Sequence, residues 1–111
     1  MKVKDPWKKL LSNIKASGRR AKVYTKKRKG IEIEFNISIQ DLKEIYEKQD
    51  KKCYWFDVYL NPDLIFEIGN PLSISADRID NNKGYIKDNI VICCRLANLG
   101  RQNYDFSKYK K

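Results

Sequence analysis

Four residues in the second half of the chain carry groups suited to chemistry on an anionic substrate: the adjacent pair Asp77-Arg78, then Asn89, then Asn98. A carboxylate and a carboxamide oxygen are hard donors that suit Mg²⁺ or Mn²⁺, with water and a phosphate oxygen in the remaining positions. A guanidinium beside them can hold a phosphate bidentately and offset charge that develops in a transition state. Arg78 keeps its proton in any protein setting, so it cannot act as an ordinary base. Proton removal would then fall to metal-bound hydroxide, to solvent, or to a nearby acceptor such as Asp80, Asp88 or Tyr85. The chain contains no histidine, which excludes a Ser-His-Asp triad, a Cys-His dyad and any His-ligated zinc site. Each residue also has a bland reading. Asp77 could pair with Arg78 or Lys87 at the surface, Asn98 could be a capping or solvent residue, and Asn89 could open a strand and bond the loop before it.

These groups fall on a β-loop-β-α pattern over residues 73–103. Residues 73–79 read as a strand, and Asp80-Asn81-Asn82-Lys83-Gly84 as a turn-rich connection in which Gly84 is expected to supply a positive φ. Residues 89–94 are rich in β-branched side chains and read as a buried strand, and residues 94–103 return to helical periodicity. In a regular strand Asp77 and Arg78 would point to opposite faces, so both reach one phosphate only if the strand ends or bends there. Upstream, Trp7, Leu10, Leu11 and Ile14 recur at helical spacing and predict a helix over 6–17, with Pro6 in its first turn and Gly18 able to end it, followed over 19–30 by a basic helical extension or a loop. Ile31, Ile33 and Phe35 alternate with Glu32 and Glu34 as in a short half-buried strand or an extended segment. Ser38 and Asp41 predict a capping box on a helix over 39–49, whose apolar face is Leu42, Ile45 and Tyr46.

At 111 residues the chain is one small domain, and 34% charged residues with a net charge of +10 make it strongly basic. The charge is uneven. Residues 1–30 carry twelve Lys/Arg against Asp5, a net of +11, while the other 81 residues sum to −1. Phosphate binding is the natural use of such a segment, because each neutralised phosphate releases condensed counterions. Lys8, Lys15, Arg19, Arg20, Lys22, Lys26, Lys27, Arg28 and Lys29 are the candidate DNA contacts, against the bland reading of a solubilising tail. No apolar run reaches the roughly 20 residues of a membrane span, and no signal-peptide core follows Met1, so a cytoplasmic protein is expected. Cys53 and the adjacent Cys93 and Cys94 do not form a secreted disulfide framework.

The string Ser75-Ala76-Asp77-Arg78-Ile79-Asp80, then Lys83-Gly84-Tyr85, Asp88-Asn89-Ile90 and Cys94 to Asn98, resembles the HNH endonucleases, and within them a phage-type group with Asp-Arg where most members have Asp-His. The similarity extends through Arg20-Ala21-Lys22, Phe35-Asn36-Ile37-Ser38, Asp41-Leu42, Gln49 and Lys52-Cys53. It implies an α+β domain with a ββα-metal core, here about residues 73–103 of a body spanning 31–111, preceded by a basic N-terminal helix and DNA-binding extension over 1–30. It further implies that Asp77 and Asn98 hold a single divalent ion, Mg²⁺ or Mn²⁺, and that Asn89 steadies the loop. Arg78 stands in the place of the general-base histidine. The implied partner is double-stranded DNA, met at the minor groove or a distorted backbone, and the implied origin is a phage or mobile element. Many HNH proteins carry Cys-x-x-Cys zinc knuckles. Here residues 54–56 after Cys53 are Tyr, Trp and Phe, so no structural zinc is expected, and the thiols are read as small buried hydrophobes. Two other classes stay open: a DNA-binding protein on the same fold without catalysis, and an accessory factor whose basic face meets an acidic protein. Action on RNA is a further alternative.

Overall fold

The computed structural model describes residues 4–101. Helix α1 runs Pro6–Lys29. Asp5 caps it by accepting the N–H groups of Trp7 and Lys8 at 2.9 and 3.3 Å, and Gly30 closes it in the left-handed region, its N–H donating to Lys26 O at 2.9 Å. The helix therefore continues past Gly18, where it could have ended, and the basic stretch expected as a helical extension or a loop is helical as far as Lys29. Gly18 is buried, and a Cβ built on it would stand 3.1 Å from two ring carbons of Phe35. The missing side chain makes room for a ring rather than ending the helix. Its cost of about 1 kcal/mol against alanine is small beside the good helix formers around it.

Strand β1 (Phe35–Asn36) pairs in parallel with the two-residue β3 (Tyr85–Ile86). Of the short strand or extended segment expected over 31–35, only Phe35 joins a ladder; Ile33 is buried between the exposed Glu32 and Glu34, whereas Phe35 is exposed. Helix α2 (Ile39–Lys48) has the full predicted capping box, Ser38 Oγ accepting from Asp41 N–H at 3.1 Å and the Asp41 carboxylate accepting from Ser38 N–H at 3.0 Å. A 3-10 turn, Pro62–Phe66, follows a loop. Strand β2 (Ile74–Arg78) then pairs antiparallel with β4 (Ile90–Cys94), Ala76 opposite Ile92 and Arg78 opposite Ile90. Helix α3 (Arg95–Arg101) starts directly after β4. The predicted residues 102–103 of this helix, and the aromatic tail 104–111, lie outside the described residues.

All five residues of β4 are buried. They lie in one core with Leu10 and Ile14 of α1, Leu42 and Ile45 of α2, Ile74 of β2 and Ala97 of α3. Gln49, just past α2, binds the outer edge of β4 as a strand would: Nε2 donates to Ile92 O at 2.8 Å and Oε1 accepts from Ile92 N–H at 2.9 Å. The three thiols are buried and unbridged. Cys53 Sγ lies 4.0 Å from Cys94 Sγ and accepts the N–H groups of Phe56 and Cys94, and burial pushes the Cys94 thiol up. The molecule is a small, compact α+β domain into which the basic first helix is built. Among the described residues no helix is long and apolar enough to cross a membrane.

Candidate functional site

Strand β2 ends at Arg78 beside α1, and the two elements with α3 enclose a cleft of about 900 Å³. From β2 it is bordered by Ser75, Asp77 and Arg78, from α3 by Asn98, and from α1 by Asn13, Ser17, Arg20 and Tyr24, with Lys29 at the helix end. Asp77 and Arg78 are neighbours on a strand, yet both border this cleft and both are half-buried. The end of the strand resolves the conflict. Beyond β2 the chain turns, and Arg78 Nη1 donates to Asn81 O at 3.0 Å and Lys83 O at 3.1 Å, its guanidinium 4.8 Å over the Tyr85 ring. Part of the fork expected to hold phosphate is thus spent on the turn, leaving Nε and Nη2 for an anion.

Asn98 projects from α3 toward β2. Its Nδ2 donates to Ser75 Oγ at 2.7 Å and more weakly to Ala76 O at 3.4 Å. With the nitrogen committed, Oδ1 is the carboxamide atom left to serve a cation. Asn89 does not border the cleft. It is 4% exposed and binds the turn from below, Oδ1 accepting from Asp80 N–H and Nδ2 donating to Asp80 O and Gly84 O, each at 2.9 Å. Gly84 lacks the positive φ expected of it; among the described residues Gly30 and Gly69 are the glycines in that region. Its requirement is close approach. A Cβ on Gly84 would overlap the backbone of Glu34, whose carbonyl accepts Tyr85 N–H at 2.8 Å.

The proposed proton acceptors separate. Tyr85 borders the cleft. Asp80 Oδ1 accepts Asn82 N–H at 2.9 Å and shapes the turn. Asp88 borders a second hollow, between α2 and β4, together with Trp55 and Phe56. Lys87 in that hollow pairs with Glu44 at 2.9 Å, which lifts its pKa. Lys87 is therefore not the partner of Asp77 that the bland reading offered.

The N-terminal cations also separate. Arg20 and Lys29 border the cleft, Lys29 donating to Asn82 Oδ1 at 2.7 Å, and Arg28 lies 5.7 Å from the Tyr24 ring centre. Lys8, Lys15, Arg19, Lys22, Lys26 and Lys27 are exposed and do not border it. Asn13, Ser17, Tyr24 and Ser75 are cleft residues that the sequence reading passed over. Asn13, Ser17, Arg20 and Tyr24 recur at i, i+4, i+7 and i+11 beside the apolar stripe, a signal of a second, polar face of α1.

Among the described residues no three His, Cys, Asp or Glu side chains converge as a metal site. The cleft is bordered by one carboxylate, Asp77, and by three carboxamides, Asn13, Asn81 and Asn98, of which Asn98 is bonded to the strand that carries Asp77. That donor set suits Mg²⁺, which keeps several waters and takes few protein ligands, better than a soft or highly coordinated metal. Compared with known proteins, the chain matches no family model, no curated protein and no solved structure.

Proposed function

We propose that this chain is a divalent-metal-dependent endonuclease of the HNH type, hydrolysing phosphodiester bonds in double-stranded DNA on a ββα-metal core made of β2, β4 and α3. The observation that carries the reading is that Asp77, Arg78 and Asn98 border one cleft whose far wall is cationic, with Arg20 and Lys29. In this reading Asp77 and Asn98 Oδ1 hold the ion, and Ser75 keeps the carboxamide turned oxygen-first toward it. Arg20, Lys29 and the remaining N–H groups of Arg78 draw the scissile phosphate in and offset its charge as the bond breaks. When bound, Mg²⁺ or Mn²⁺ supplies Lewis acidity at the phosphate, a more acidic water and charge neutralisation at the leaving oxygen. Asn89 fixes the turn from which Arg78 reaches, and Tyr85 supports the guanidinium from beneath. Arg78 takes no proton; the attacking water loses its proton to solvent through the open cleft.

The test is nicking of supercoiled plasmid with Mg²⁺, Mn²⁺ or EDTA. The expected result is metal-dependent cleavage that Asp77→Ala abolishes while DNA binding persists. Cleavage by Asp77→Ala at the wild-type rate would overturn the site. One observation favours a second reading: Arg78 stands where the resemblance puts a base, and its Nη1 serves the turn. A DNA-binding protein without catalysis would bind duplex yet leave the plasmid intact under every metal condition.

A further inference from the structure

Helix α1 contains no acidic residue, and its cations do not all serve the cleft. At about 100° per residue, Lys8, Lys15, Arg19, Lys22 and Lys26 lie roughly 140–180° around the helix from Ser17, which faces the cleft. They form one row, about 27 Å long at 1.5 Å per residue, and all five are exposed. Among the described residues, Lys26 alone of the five is in an ion pair, a solvent-exposed contact of 3.4 Å to Glu32. The row weakens the helix that carries it. Lys15–Arg19, Arg19–Lys22 and Lys22–Lys26 are like-charge neighbours at i+3 or i+4, each costing about 0.2–0.5 kcal/mol. An external polyanion would turn that repulsion into attraction.

We propose that this row is a second DNA-binding surface, and that one protein molecule can hold a duplex across the cleft and another duplex segment along the back of α1. The inference rests on the nuclease reading for its first duplex and adds a second. Geometry keeps the two surfaces from serving one straight duplex. They face apart across a helix about 10–12 Å thick with its side chains. Bending a site of 20–30 base pairs by 40–90° already costs about 1–6 kcal/mol, and wrapping α1 requires a sharper turn. A row of this length spans about eight phosphates of one strand at roughly 3.4 Å each. Beside the row, Val23 is exposed and Leu11 is partly buried against the core, a thin apolar margin that suits a phosphate track better than a membrane surface.

The experiment is capture of a fluorescent duplex on beads carrying an immobilised duplex, in EDTA so that nothing is cut, with solution binding to one duplex measured in parallel. Wild-type protein is expected to bridge. The variant carrying Lys8→Gln, Lys15→Gln, Arg19→Gln, Lys22→Gln and Lys26→Gln keeps good helix formers at exposed positions, which circular dichroism checks. It is expected to bind a single duplex within about threefold of wild type but to lose capture by about tenfold or more, with a salt slope of capture shallower by about 0.9 per lost phosphate contact. Capture undiminished in this variant would assign bridging to the cleft or to a second copy and overturn the proposal. Single-duplex binding and capture lost in equal measure would mean one site, with the same consequence. Metal-dependent nicking without capture overturns the second surface alone, whereas absence of all duplex binding overturns the nuclease reading as well.

Discussion

Asn98 is held by one strong hydrogen bond, from Nδ2 to Ser75 Oγ at 2.7 Å, which engages the nitrogen and leaves the oxygen as the possible cation ligand. A neighbour that orients a ligand is commonly worth 10–100-fold in metal affinity or activity. Ser75→Ala is therefore expected to raise the Mg²⁺ concentration needed for half-maximal nicking by about 10-fold or more while leaving duplex binding in EDTA unchanged. An unchanged Mg²⁺ dependence would show that Ser75 does not orient Asn98. The sequence singled out Asp77, Arg78, Asn89 and Asn98, and three of these border the cleft. Ser75 was passed over because a serine on a strand carries no signal until its partner, 23 positions away, is known.

The turn between β2 and β4 depends on contacts no strand supplies. Gly84 lies against the Glu34 backbone, so Gly84→Ala forces β1 and β3 apart and is expected to cost at least about 1–3 kcal/mol in urea unfolding, as overpacking does. A variant as stable as wild type would mean that the backbones give way freely. Farther along, Tyr46 of α2 donates its hydroxyl to Leu60 O at 2.7 Å. Burial, and then the charge of Glu47, raise the Tyr46 pKa above its ordinary value near 10. The folded state thus holds this proton more tightly than the unfolded chain, so the contribution is complete below about pH 10 and is lost as pH rises beyond it. Tyr46→Phe should cost about 1 kcal/mol near neutrality. The gap to wild type should stay constant up to about pH 9.5 and narrow only as the pH rises past about 10, and a gap that stays constant to about pH 11 would count against the shift.

At the scale of the whole molecule, the basic segment is part of the core. Leu10 is 1% exposed and Ile14 4%, both packed in the single hydrophobic cluster. Losing one such side chain costs about 2–5 kcal/mol, and a domain of this size has about 5–15 in all. Deleting residues 1–30 is therefore expected to leave a chain with no cooperative thermal transition, rather than a folded body that binds DNA less tightly. A sharp calorimetric transition in the truncated chain would show the body to be independent. The electrostatic role of the segment has to be read from charge substitutions that leave Leu10 and Ile14 in place.

Local patterns carried much of this. The capping box at Ser38 and Asp41, the buried run 90–94 and the concentration of cations before residue 30 are legible because they involve neighbours one to four positions apart. Gly18 and Gly84 were misread for the opposite reason: a glycine reads locally as a break or a turn, whereas here each admits a contact from a distant segment, the Phe35 ring in one case and the Glu34 backbone in the other. The charge of α1 was likewise plain as a sum, but its division between cleft and outer face had to wait for the helix to run unbroken to Lys29 and show which side packs. Sequence alone determined which elements form and what chemistry their side chains can offer. Tertiary packing decided which groups share a cleft, because that depends on how α1 lies across β2 and α3, a geometry set by apolar contacts far apart in the chain.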